Sequence, residues 1–213
     1  MYIDVASVEE MVKIVLVVLG WWALLVCSGC AHTPGDAALR GEHPEAAADV
    51  YAKGAELGDA DAALKLGLLI SDGTIPETQY GTALKWYLRA CDLGSLPGCH
   101  NVGVAYQEGK HGVSVDPQKA YAFYVQSAEK GYMQSQYNLA TLYSDQLAQP
   151  PSDVEGYKWM LLSQGAAKRC TNSPLCDWIL RDPPGHKAKL RGRMTDQQIK
   201  EAETLAASWT VKK

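Results

Sequence analysis

ADAALKLGLLISDG (residues 60–73), LPGCHNVGVAYQEG (96–109) and MQSQYNLATLYSDQ (133–146) lie over one another without a gap, with equivalent positions at 67, 103 and 140. A second block follows each: TALKWYLRACDLG from Thr82, KAYAFYVQSAEKG from Lys119 and EGYKWMLLSQGAA from Glu155. The period is 36 and then 37 residues. A fixed period of that size marks a helical solenoid, whose units are too small to bury their own apolar faces and stack on their neighbours instead. In the first blocks, Ala62, Leu66, Gly67 and Ile70 recur as Gly98, Val102, Gly103, Tyr106 and as Ser135, Leu139, Ala140, Tyr143. That i, i+4, i+5, i+8 spacing lines one face of a helix. A mid-helix glycine is about 0.5–1 kcal/mol worse than alanine, so Gly67 and Gly103 predict close approach by a second helix. The repeated pairs Trp86-Tyr87, Phe123-Tyr124 and Trp159-Met160 supply that helix, which makes each unit two antiparallel helices.

Half a unit precedes the first full one: AAADVYAKGAELG, residues 46–58, matches the second blocks position for position. Gly58, Gly94 and Gly131 end these helices, where a positive φ is wanted. SVDPQKA from Ser114 predicts a helix with Asp116 as N-cap and Pro117 in the first turn. The pair Asp59 and Asp61 at a helix entrance reads as capping carboxylates rather than as part of a metal site.

The pattern small-x-x-x-Leu-Gly-x-x-Tyr-x-x-Gly, then Lys-Ala-x-x-Trp/Phe-Tyr-x-x-Ala-x-x-Gly, resembles the Sel-one-like repeat (SLR), a relative of the tetratricopeptide repeat. The resemblance runs roughly from Ala46 to Ala167, and MTDQQIKEAETLAASW from Met194 looks like the closing helix of such proteins. It implies an all-α, right-handed α-solenoid of about three units plus a half unit, over 45–168, closed by a cap over 169–213. Departures are Ile70 in place of an aromatic, Gln146 in place of a glycine, and the loop LAQPPSD after it.

From Lys13 the chain reads KIVLVVLGWWALLVCSGC, with an apolar run of 13 residues from Ile14 to Val26. That is short for a membrane span but right for the core of a signal peptide, expected over 1–29. Cys27-Ser28-Gly29-Cys30 resembles a bacterial lipobox, with Cys30 the lipid-bearing first residue of the mature chain and 30–44 a linker; leucine is usual where Cys27 stands. Residues 1–10 hold Asp4, Glu9 and Glu10 and no basic residue, so Met11 is read as the start, with Lys13 as a minimal basic region. Ala31 after the cysteine favours, by resemblance, an outer-membrane lipoprotein facing the periplasm. The alternative is an uncleaved anchor running on into Ala31; both readings place the solenoid outside the cytoplasm.

With 20 basic against 24 acidic residues the net charge is −4, which offers no basic excess for nucleic acid. Apart from Cys27 and Cys30, the six cysteines leave two close pairs, Cys91 with Cys99 and Cys170 with Cys176. A bond between the first two would staple adjacent units across DLGSLPG. The second would clip the turn into the C-terminal cap. The spacing resembles the secreted cysteine-rich subgroup of these repeats, in which such pairs are disulfides; the other reading is buried thiols. Neither pair is CxxC and the five histidines are scattered, so no metal and no cofactor are expected.

Some cysteine-rich relatives are described as penicillin-binding or β-lactam-hydrolysing, and Ser127-Ala128-Glu129-Lys130 matches the Ser-x-x-Lys of such enzymes. The match falls on the repeat's own helix end, with Ala90 to Leu93 as its counterparts, and no Ser-Asp-Asn or Lys-Thr-Gly partner accompanies it. Phosphate-loop, zinc-protease and Gly-x-Ser-x-Gly motifs are absent too. The basic run Lys187, Lys189, Arg191 and Arg193 reads as a solvated terminal face.

Binding is the expectation that remains. Stacked first helices align their unpacked positions into columns. One column is Lys65, Asn101, Asn138, and by resemblance to tetratricopeptide asparagines these grip the backbone or carboxylate of a peptide; a plain solvated stripe is the other reading. A second column, Asp72, Glu108 and Asp145, puts a carboxylate at the unfavourable pole of each first helix. A donor row facing an acid row suits an extended peptide or envelope protein as partner.

Overall fold

The structure, a computed structural model, describes Asp36 and residues 43–170 and 172–212. The expected signal segment 1–29 and the lipidation residue Cys30 lie outside the described residues. Every regular element among the described residues is a helix. The array runs α1 (Pro44–Glu56), α2 (Ala60–Ser71), a single turn α3 (Glu77–Tyr80), α4 (Ala83–Asp92), α5 (Leu96–Glu108), α6 (Pro117–Ala128), α7 (Met133–Ser144) and α8 (Asp153–Ala167). The C-terminal region is α9 (Pro174–Arg181), α10 (His186–Gly192) and α11 (Asp196–Ser208). In the array each long helix packs on the next, α1 on α2, α2 on α4, and so on to α8. That is an α-solenoid of antiparallel pairs: one half unit, α1, then three full ones.

The turns between units are set by glycine. Gly58, Gly94 and Gly131 have φ of 96°, 92° and 89°. The next residue then bonds back across the helix end: Asp59 N–H to the Gly54 carbonyl, Ser95 to Ala90 and Tyr132 to Ser127, at 2.9, 2.9 and 3.0 Å. Such caps satisfy carbonyls left over at a helix end. The first two of these residues also open the following helix. Asp59 accepts from the N–H groups of Asp61 and Ala62, and Ser95 from that of Gly98. Asp116 caps α6 through the Lys119 N–H, with Pro117 in the first turn, as the sequence predicts.

Inside each pair a glycine lies under an aromatic ring. A Cβ on Gly67 would sit 2.7 Å from Tyr87, and one on Gly103 2.5 Å from Tyr124. This is the close approach the mid-helix glycines predict. The third unit has Ala140 and Met160 at these places, both fully buried: the flexible thioether leaves room for the methyl that a ring would exclude.

Between units, one contact is solved three ways. At the α1/α2 junction the facing residues are Gly54 and Ala55 against Ala62 and Ala63, small and dry. At α4/α5 they are Ala90 and Cys91 against Gly98 and Cys99, and Cys91–Cys99 is a disulfide with Cα atoms 4.5 Å apart. At α6/α7 they are Ser127 and Ala128 against Ser135 and Gln136. Ser127 Oγ donates to Ser135 Oγ at 2.6 Å and Gln136 Nε2 to the Ala128 carbonyl at 3.1 Å.

The C-terminal region closes the open end. Helices α9, α10 and α11 all pack on α8, and α10 reaches α7 as well. Cys170–Cys176 joins the end of α8 to α9, which is the clip expected there. Arg193 fastens the rest: its Nη1 and Nη2 donate to the Ser144 and Tyr143 carbonyls at 3.0 and 3.4 Å, and its guanidinium grips Asp153. Lys187 donates to Gln164 Oε1 and Lys189 to Asp145. The basic run is therefore not merely a solvated face, because three of its four residues bond the last unit.

Candidate functional site

In an α-helix each residue advances 100°, so Lys65, two residues before the ring-covered Gly67, lies about 160° round α2 from it. The same holds for Asn101 against Gly103 and Asn138 against Ala140. Each donor thus faces away from the second helix of its own unit, on a surface made by α2, α5 and α7. Asp72, seven residues after Lys65, falls within about 20° of the same line and about 10 Å further along the axis. Both columns share one face. Between them runs a third row that the sequence reading missed: Leu68, Val104 and Thr141. Leu68 is 45% exposed, so this row begins as an apolar floor between donors and acids. Its signal was present in the i+3 spacing from the donor row.

The donor row changes along the array. Lys65 Nζ bonds Asp61 at 2.8 Å within its own helix and Asp36 at 2.9 Å. Burial works against its charge, but Asp61 and Asp36 outweigh it and raise the pKa to about 12. Asn101, partly buried, makes no side-chain hydrogen bond among the described residues. Tyr124, near Asn138, donates to Gln107 Oε1 at 2.7 Å; burial pushes that phenol's pKa up, and Asn138 pulls against it.

The acid row lies at the first-helix ends, as expected, and the chain itself supplies counterparts. Asp72 accepts from the Thr74 N–H at 2.9 Å, Glu108 pairs with Lys110 at 2.5 Å, and Asp145 meets Lys189 at 3.3 Å and His186 at 3.6 Å. The two ends of the face are thus tied down, Lys65 by Asp36 and Asp145 by α10. Among the described residues its middle, Asp72 and Glu108 with Asn101 between them, has only local polar contacts.

Beside Asn138 the face dips into a pocket of about 140 Å³, walled by Tyr137, Leu175, Trp178 and His100. Trp178 of α9 meets Tyr137 edge-on at 5.1 Å, while Tyr137 donates to Asp182 at 2.8 Å. His100 has its Nδ1 3.0 Å from Ser135 Oγ, and desolvation lowers its pKa to about 4, so at neutral pH the ring carries no charge.

Ser127 is not presented as a nucleophile. It is fully buried, and its hydroxyl is committed to Ser135 Oγ and the Tyr124 carbonyl. Lys130 is exposed. No group of three or more metal-ligating side chains occurs among the described residues.

Comparison with known proteins agrees with this architecture. The Sel1 repeat model matches residues 60–95, 96–132 and 134–163. An F-box protein of Arabidopsis thaliana is 32% identical over 117 residues, covering 55% of this chain and 31% of that protein. The chain thus spans about a third of the relative's length. A protective antigen of uropathogenic Escherichia coli strains, with an SLR fold, superposes with a TM-score of 0.62 at 25% identity, over 78% of this chain and 32% of the antigen. A Sel1 repeat protein from Oxalobacter formigenes gives a TM-score of 0.59 at 21% identity, over 81% and 69% of the two chains. The glycine-ring contacts and the capped turns recur with the period that the family model matches, and residues 60–163 match three successive Sel1 repeats.

Proposed function

We propose that this chain is a non-enzymatic, protein-binding scaffold carried at a bacterial cell envelope, and that the face of α2, α5 and α7 takes an extended peptide or strand of an envelope protein. The observation that carries the reading is the coincidence on one face of a donor row, an acid row and the exposed Leu68, with the middle of the face making only local contacts among the described residues. A peptide backbone needs both donors and acceptors, and a side chain of positive charge needs carboxylates. Sel1 repeats typically serve protein–protein contact, which points the same way.

The test is binding of an immobilised set of ten-residue peptides of varied charge pattern. Asp72→Asn with Glu108→Asn, and separately Asn101→Ala, should each reduce capture about tenfold at unchanged melting temperature. Capture that survives both would remove the reading. The envelope location rests on the 1–30 sequence alone. Mass spectrometry of the mature protein, without reductant, reports the N-terminal residue and its lipid; an unmodified chain beginning at Met1 or Met11 would refute the lipid anchor at Cys30, and its recovery from the cytoplasmic fraction would refute the envelope location. The enzymatic alternative has its own assay: a fluorescent penicillin adduct that disappears in Ser127→Ala. We expect no adduct in either protein.

A further inference from the structure

Helix α8 carries a glycine that packing does not explain. A Cβ on Gly165 would meet nothing within 4 Å, whereas one on Gly67, Gly103 or Gly156 would strike a neighbour. Glycine inside a helix is about 0.5–1 kcal/mol worse than alanine, so an uncrowded one calls for another reason. Its counterparts in the other second blocks are Glu56, Asp92 and Glu129. The last unit thus drops a carboxylate from this place, and Gly165 lines a cleft of about 490 Å³. Ligand clefts run from about 300 to 1,000 Å³.

The apolar walls are Leu161 and Leu162 of α8, Ala206 of α11, and Trp209 and Val211 of the segment 209–212. That segment crosses the α6/α7 turn: Trp209 meets Trp159 edge-on at 6.2 Å and the Lys212 N–H donates to the Glu129 carbonyl at 2.9 Å. Two polar side chains interrupt the apolar lining. Gln136 is 2% exposed, and its Nε2 donates to the Ala128 carbonyl at 3.1 Å. A carbonyl only accepts, so the amide's orientation is fixed and Oε1 is left over. Among the described residues Oε1 makes no hydrogen bond, yet no buried side-chain oxygen there lacks a partner, so it opens onto the cleft that Gln136 lines. Arg169 donates Nη1 to the Gly165 carbonyl at 3.1 Å and meets no carboxylate among the described residues. An acid at position 165 would stand four residues before this guanidinium, the spacing of a helical ion pair. Gln136 lies two residues before Asn138 and so about 160° round α7 from it. The cleft is therefore separate from the face that takes the peptide, and it does not depend on that reading.

We propose that the cleft binds a small organic acid, with its carboxylate on Arg169, its apolar body along Leu161, Leu162 and Trp209, and a hydroxyl or N–H group at its far end donating to Gln136 Oε1. Glycine at 165 serves this twice: it leaves room for the body, and it leaves Arg169 without an internal acid.

The experiment titrates the full chain with 8-hydroxyoctanoate, with octanoate, which lacks the donor, and with octane-1,8-diol, which lacks the charge. Their flexible chains adapt to the span between the two polar groups. Binding is followed through the indole N–H resonance of Trp209 and the amide resonance of Gly165. The hydroxy acid should bind about tenfold more tightly than either analogue. Gly165→Glu, which restores the residue type of the other units, should lose the hydroxy acid while melting no lower than the unaltered chain. Arg169→Gln should make the hydroxy acid and the diol bind alike. Equal affinity for the three compounds, no saturable shift with any of them, or undiminished binding in Gly165→Glu would overturn the site. If Gly165→Glu melts lower, the exposed Arg169 decides: a preference for the acid that survives Arg169→Gln overturns the site as well. Gln136 is left unaltered because it also holds the Ala128 carbonyl, and its part is read from the octanoate comparison.

Discussion

At Gly103 there is no room for one methyl group: the ring of Tyr124 lies where a Cβ would be, with two ring carbons at 2.5 and 2.6 Å. Gly103→Ala is therefore predicted to destabilise the fold by about 1–3 kcal/mol, the usual cost of overpacking. Adding Tyr124→Met, which recreates the Ala140/Met160 pairing of the third unit, should recover part of that loss. Urea unfolding of the two single variants and the double variant checks this, and strictly additive effects would contradict the ring-on-glycine account. His100 carries a different prediction. The unfolded chain takes up its proton near the ordinary value of 6.5, the folded chain only near 4. Between these values the unfolded state holds more protons, so stability falls as pH is lowered from about 6.5 to about 4, by on the order of 3 kcal/mol in full. Denaturation curves across that window should flatten for His100→Gln.

Among the elements, the three junctions between units show one geometry filled by three chemistries: alanines, a disulfide and a pair of hydrogen-bonding polar residues. Because Cys91 and Cys99 occupy the places of Ala55 and Ala63, the double substitution Cys91→Ala with Cys99→Ala should keep every helix. It should lower stability by about 2–3 kcal/mol, the loop-closure entropy of so short a ring. Thermal unfolding with and without reductant is the measurement: reduction opens Cys170–Cys176 in both proteins, so the unaltered protein should lose this much more on reduction than the double variant does. A helix content that collapses in the variant would show that the first junction's solution does not transfer.

For the molecule as a whole, a repeat array is held by nearest-neighbour contacts, and its open end needs a cap. Arg193 is the fastening, since it bonds the last carbonyls of α7, where a cation is favoured, and Asp153 at the start of α8. Arg193→Ala is predicted to cost about 1–3 kcal/mol. Hydrogen exchange should locate the loss: amides of α9, α10 and α11 should exchange faster while those of α1 to α6 stay protected. Uniform acceleration over the whole array would mean that the cap and the repeats unfold as one unit.

What the sequence determined by itself follows from periodicity and local chemistry. The helix pairs, the glycine turns, the caps at Asp59 and Asp116, and the two cysteine pairs each depend on residues close in the chain or repeated at a fixed interval. Such signals survive without knowing what packs against what. The row of Leu68, Val104 and Thr141 is legible in the same way, from its spacing of three residues from the donor row. Tertiary structure alone decided the partners of long side chains. That Asp36 meets Tyr51 and Lys65, that Lys189 meets Asp145, that Arg193 crosses to α7 and that Ser127 turns inward onto Ser135 all depend on where distant segments lie once the stack has formed. No period relates those segments, and a charged group's partner is set by distance in space rather than by spacing in sequence.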